Sequence, residues 1–131
     1  VGLDHFRTAM LLAIMERKLG FHFGGEDVYL NVAGGLAVDE PAADLGAVLA
    51  VVSCLKNKPL PREIVAFGEV GLSGEVRSVS GPVARIKEAV SLGFETVILP
   101  QGNLAMLEKE DLSGARLLGV QNIREALPIL F

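Results

Sequence analysis

Between Ala42 and Leu55 the chain reads Ala-Ala-Asp-Leu-Gly-Ala-Val-Leu-Ala-Val-Val-Ser-Cys-Leu, and Asp44 is its single charge. Pro41 suits the first turn of a helix, where its missing N–H costs no intrahelical bond. A helix that is apolar on nearly every side cannot lie on a surface and belongs at the centre of a core. Ala43, Gly46, Ala47 and Ala50 keep its outline thin, so neighbouring backbone can come close. The apolar run Leu45 to Leu55 is interrupted by Gly46 and Ser53 and falls well short of the ~20 residues of a bilayer span, so it predicts a core helix and no membrane partner.

The flanking chain alternates helical and strand patterns. Phe6, Met10, Ile14 and Met15 recur at helical spacing among charged neighbours, with Asp4 placed to cap the start and Gly20 the end. Val28 to Val32 reads as a strand, and Gly34-Gly35 as a turn. Lys56 to Arg62 is a proline-containing loop, Ile64 to Phe67 a strand, and Gly68 to Gly74 a glycine-rich turn leading into Glu75 to Val79. Ser80 is placed to cap a helix over Gly81 to Leu92 with an apolar stripe of Val83, Ile86 and Val90. Thr96 to Leu99 reads as a buried strand, then come a short helix around Leu104 to Glu108, a strand over Leu117 to Val120, and a helix opened by Asn122 with Glu125 three residues on. This alternation predicts a layered α/β domain.

The 131 residues suffice for a single domain, 1–131, and the start at Val1-Gly2 is that expected of a piece cut from a longer protein. A net charge of −4 with no block of like charges does not favour a strongly electrostatic nucleic-acid binder. Cys54 is the only cysteine and His5 and His22 the only histidines, which leaves no disulfide and too few ligands for zinc. A reducing, cytoplasmic setting fits this usage, and no secretory segment is visible.

Asp39-Glu40-Pro41-Ala42-Ala43-Asp44, at the head of a small-residue helix, resembles the signature around the nucleophile of the Lon protease family, in which Asp, Gly and Pro precede Ser, Ala and Gly. Ala42 stands in the serine's place. Gly68-Glu69-Val70, Leu72, Gly74, Val76, Gly81 and the run Gly93 to Ile98 match the same pattern without a gap, which puts Val83 where that family keeps its catalytic lysine and Arg85 on a second basic position. Asp27 to Val32 is similar to the strand that carries histidines in Lon, with Tyr29 and Asn31 in those places. Among Lon-like chains this one most resembles the C-terminal domain of the RadA (Sms) family of bacterial DNA-repair proteins. The words that carry this likeness are Arg7 to Lys18, Val28 to Gly35, Glu40 to Asp44, and Phe67 to Glu75. The resemblance implies a ribosomal protein S5 domain 2-like fold. It also implies a full-length ATPase with its ATP, Mg and Zn sites in upstream domains, acting on branched DNA, and a non-proteolytic domain here that builds a ring, expected to be a hexamer. DNA and other recombination proteins are the implied partners. No Gly-x-x-x-x-Gly-Lys-Ser/Thr loop occurs in these residues, and no cofactor is expected in them.

A serine and lysine dyad needs a hydroxyl to attack and a neutral amine to take its proton. Ala42 and Val83 can do neither, so no catalytic residue is expected. Ser53 and Cys54 lie about 16 to 18 Å along the helix from Ala42 and out of reach. Asp44 would place a charge ~6 Å from a forming oxyanion and oppose it by about 3 kcal/mol; its plainer role is to stabilise a helix N-terminus. One alternative is a peptidase with displaced groups, Lys87 acting with Ser78 or Ser80. Gly68 to Gly74 reads as a tight hairpin turn rather than a phosphate loop, and His22 as a packing or solvated residue. Two basic groups are candidates for DNA-backbone contact, Lys56, Lys58 and Arg62 in the proline loop and Arg77, Arg85 and Lys87 near the vacated site, with solvated surface as the plain reading of both. A further alternative is an oligomerisation domain that never touches DNA.

Overall fold

The computed structural model describes residues 5–20, 41–107 and 114–131. Asp4, His22, the strand over Val28 to Val32, the Gly34-Gly35 turn and Asp39-Glu40 lie outside the described residues. Helix α1 (His5–Leu19) comes first; a 3-10 turn (Pro41–Ala43) leads into helix α2 (Asp44–Lys56). Strand β1 (Ile64–Ala66), a hairpin of β2 (Glu69–Val70) and β3 (Val76–Arg77), helix α3 (Pro82–Ser91), strand β4 (Thr96–Pro100), helix α4 (Gln101–Met106), strand β5 (Arg116–Val120) and helix α5 (Ile123–Leu130) complete the order. No helix among the described residues is long and apolar enough to cross a membrane.

Strands β1, β4 and β5 form a parallel sheet in that order, with Val65 beside Val97 and Val97 beside Leu117. Parallel sheets of this kind are buried on both faces, and the strand residues alternate accordingly. Ile64, Ala66, Ile98, Leu118 and Val120 pack with α1, α2 and α5, while Val65, Val97, Leu99 and Leu117 pack with Ile86, Ala89 and Leu104 of α3 and α4. The chain is therefore a mixed α/β structure. Helix α2 is as central as its composition demands, since Leu45, Val48, Leu49, Val51 and Val52 are all buried.

The expected hairpin is present: β2 and β3 pair antiparallel, and the turn between them closes through Gly74 N–H donating to Gly71 O at 2.9 Å. Gly74 sits at φ +81°, a conformation that glycine takes without cost. Three local expectations are corrected. Gly81, at φ +65°, and not Ser80 occupies the cap position of α3, and no side chain caps it; Pro82 removes one of the N–H groups that a cap would serve. The short fourth helix runs Gln101–Met106, starting directly after β4 instead of around Leu104. Asn122 does cap α5, accepting from Glu125 N–H at 3.2 Å, but Glu125 reaches back to Gln121 N–H rather than to the cap's own.

Candidate functional site

The head of α2 holds Ala42, which the resemblance drawn from the sequence sets in the place of a nucleophile. Ala42 is buried, 3% exposed, in the same apolar cluster as Phe67, Ile86 and Val97, and half-buried Val83 packs against that cluster. The two positions that the family resemblance singles out thus meet in one cluster, on its apolar terms. Main-chain groups beside Ala42 are engaged with the segment after β1. Gly68 N–H donates to Ala42 O at 2.9 Å, and Leu45 N–H donates to Gly68 O at 3.0 Å, which satisfies one of the donors that a helix start leaves over. A Cβ on Gly68 would stand 2.8 Å from Val76 Cγ1, so only glycine allows the strand to lie this close.

Asp44 is fully buried, and its Oδ2 accepts from Val70 N–H at 3.0 Å, tying the first residue of α2 to the β2 strand. A carboxylate set among backbone donors is a strong hydrogen-bond acceptor. The sequence marked it as a first-turn acid; only the three-dimensional proximity of residues 44 and 70 reveals the clasp. Asn103, also fully buried, was missed altogether. Its side chain accepts from Val79 N–H at 2.9 Å and donates to Val79 O at 3.0 Å, completing both backbone groups of the linker that enters α3. An asparagine inside a short helix between strands gives no one-dimensional sign of such a role.

The basic candidates do not come together. Helix α2 begins beside Gly68, after β1, and ends in the loop that returns to the start of β1, so its 13 residues run ~20 Å along β1, from one end of the strands to the other. Lys56, Lys58 and Arg62 are exposed at the far end of that span from Ala42. Asn57 closes the helix in the left-handed region at φ 52°, Lys58 N–H donates to Ser53 O at 3.0 Å, and Lys56 Nζ stands 5.9 Å from the Phe131 ring centroid. Of the second group, Arg85 alone is placed against the Ala42 cluster. Arg85 Nε donates to Ser80 O at 2.9 Å, and its guanidinium stands 6.0 Å from the Phe67 ring, over the wall of the Ala42 cluster. Arg77 is exposed on β3 and pairs with Glu75 at 3.5 Å. Lys87 is exposed on α3, one residue past buried Ile86. Ser78 and Ser80 are exposed too, and no hydrogen bond joins either to Lys87 among the described residues. Cys54 is exposed at the other end of α2 from Ala42.

A family model described as "Subunit ChlI of Mg-chelatase" matches residues 7–103. Along nearly all of its length the chain is similar to proteins named "DNA repair protein RadA". It is 47% identical to that of Pseudomonas aeruginosa over 131 residues, the whole of this chain and 28% of that protein. It is 46% identical to that of Chlamydia pneumoniae and 43% to that of Escherichia coli strain K12, each over 129 residues, 98% of this chain and 28% and 27% of those proteins. The chain therefore spans little more than a quarter of the curated relatives that it matches.

Proposed function

The chain belongs to the family described as Subunit ChlI of Mg-chelatase, and from that membership and its likeness to RadA proteins we propose that it is the Lon-like, S5 domain 2-like part of a RadA-type DNA repair and recombination ATPase. In this reading residues 1–131 are one domain of a longer cytoplasmic protein, and ATP, Mg and Zn are bound by other domains. The domain is a scaffold: it supports assembly into a ring, expected to be a hexamer, and holds DNA by its backbone. Other recombination proteins are its further partners.

The observation that carries the non-proteolytic part is the head of α2. Ala42 offers no nucleophile, Val83 no base, and Ala42 O, Leu45 N–H and the Asp44 carboxylate beside Ala42 are bonded to Gly68 and Val70. The purified protein is expected to leave casein intact. Turnover that Ala42→Gly left unchanged and Lys87→Ala abolished would replace this reading with a peptidase whose groups are displaced. Ala42→Ser together with Val83→Lys should restore little, because an attacking group also needs a tuned base and free oxyanion donors.

The DNA part rests on exposed cations, since affinity for a duplex follows local phosphate contacts more than net charge. Alanine at Lys56, Lys58 and Arg62, or at Arg77, Arg85 and Lys87, should weaken duplex binding at whichever trio touches phosphate and flatten the slope of log K against log salt by about 2.7. The net charge of −4 favours a second reading, a domain that assembles rings without touching DNA. Unchanged binding in both trio variants, with sedimentation still showing a ring for the full-length protein, would select it; a full-length monomer at every concentration would end the assembly reading instead.

A further inference from the structure

A cleft of about 200 Å³ opens between the end of α1, the β2–β3 turn and the start of α5, lined by Lys18, Ser73, Gly74, Asn122, Ile123 and Arg124. At about 30 Å³ per water it has the room of roughly six waters, enough for a phosphate group with part of its hydration. Its two cations come from helices at opposite ends of the chain, and each is held in place. A Cβ on Gly74 would stand 3.3 Å from Lys18 Cγ, so the lysine stem lies against bare backbone, in the way that long cationic side chains bury their methylenes and keep the charge wet. Arg124 Nε donates to Lys18 O at 2.9 Å, which serves a carbonyl at the end of α1 and sets the guanidinium beside the lysine. Among the described residues, neither cation has an acidic partner.

Two acids on the adjoining elements, Glu75 and Glu125, are turned to other tasks. Glu75 accepts from Ser73 N–H at 3.0 Å and pairs with Arg77, and Glu125 accepts from Gln121 N–H. Ser73 adds a hydroxyl to the lining, and Asn122 keeps its amide N–H groups while its oxygen caps α5. An arginine and a lysine lining one cleft suit the oxygens of a phosphate. We propose that this cleft binds a phosphate group and, resting on the function proposed above, that the group is a phosphodiester of the nucleic-acid backbone. Its lining includes no residue of either basic trio, Arg77 standing at the same turn through its pair with Glu75, and the sequence separation of 106 between its two cations kept it out of view in one dimension.

Two measurements separate the site from its ligand's source. In the first, amide NMR follows the protein titrated with inorganic phosphate against chloride at equal ionic strength. Saturable shifts are expected at Ser73, Gly74 and Asn122 to Arg124, and their absence overturns the site whatever DNA does. In the second, the full-length protein and its Lys18→Gln, Arg124→Gln double variant bind duplex DNA across a salt series. Loss of two contacts should flatten the slope by about 1.8. An unchanged slope, with one of the basic trios still flattening its own, overturns the nucleic-acid source and leaves the DNA reading standing. Absence of duplex binding by the unaltered protein removes the DNA reading and the nucleic-acid source together, and the phosphate titration then decides the site alone.

Discussion

The two ends of α2 differ in what their polar groups do. At its head Asp44 is fully buried and bonded to Val70, Ala42 O is taken by Gly68, and Asn103 nearby completes Val79. At its tail Lys56 and Lys58 stand in solvent beside Asn57, whose left-handed turn releases the chain toward β1. The head resembles a catalytic centre in position, yet its polar atoms hold the chain together. The tail carries no such resemblance and keeps its charges exposed. Polarity buried against the protein's own backbone is a matter of stability, whereas polarity left in water is available to a partner. Substitutions at the two ends should therefore fail in different ways.

The strongest contrast is expected from Asp44→Ala. It strands the Val70 N–H in a dry site and removes a carboxylate acceptor, which together should cost about 3 kcal/mol in urea unfolding. Asp44→Asn, which keeps an acceptor oxygen, should lose less than half as much. A loss under about 1 kcal/mol for the alanine variant would mean that the clasp between α2 and the hairpin is not what seals the head. Asn103→Ala comes next. It leaves both backbone groups of Val79 without partners, for an expected loss of about 2 kcal/mol. Because residues 44 and 103 bond to different segments, the two losses should add within about 0.5 kcal/mol; a large shortfall would show the head to be one cooperative unit.

A gentler probe of the same hairpin is pH. The Ser73 N–H holds the Glu75 carboxyl below its ordinary value of 4.5, with Arg77 helping and burial opposing. A carboxyl depressed on folding lends its stability above its unfolded pKa and loses it as pH falls through the folded one. The stability gap between the protein and Glu75→Gln should thus be present at neutral pH, shrink below pH 4.5, and vanish in stronger acid. A gap that widened on acidification would have the wrong sign for this turn.

How much of this was legible in one dimension follows from the range of the interactions. The central helix, the separate strands and the hairpin were readable because apolar periodicity and glycine placement are local properties, whereas the parallel pairing of the strands was not. Gly81 in place of Ser80 as the cap of α3 was not, because Ser80 and Gly81 differ in backbone angle and not in pattern. Ala42 and Val83 could be singled out from the motifs of the family resemblance, and the structure adds that they share one cluster. Asp44 could be seen but not its partner, since 26 residues separate it from Val70. Asn103 and the Lys18–Arg124 cleft depend wholly on tertiary contacts, and no residue spacing announces them.

The smallest effect on stability is expected where the largest effect on binding is possible, at the tail of α2. Replacing Lys56, Lys58 and Arg62 together with alanine removes the contact between Lys56 and the Phe131 ring, worth about 0.5 to 1 kcal/mol at an exposed site. Lys58 and Arg62 are exposed and have no ion pair among the described residues, so they add little. The backbone adds no further loss, because the Asn57 turn and the Lys58 N–H bond to Ser53 O survive the change. The triple variant should therefore unfold within about 1 kcal/mol of the unaltered protein, and equilibrium urea unfolding at moderate salt measures it. A loss above about 2 kcal/mol would mean that these cations are tied into the fold as Asp44 is, and the difference between the two ends would collapse. A near-neutral result makes any fall in duplex affinity of the same variant a direct reading of lost phosphate contacts, free of any contribution from unfolding.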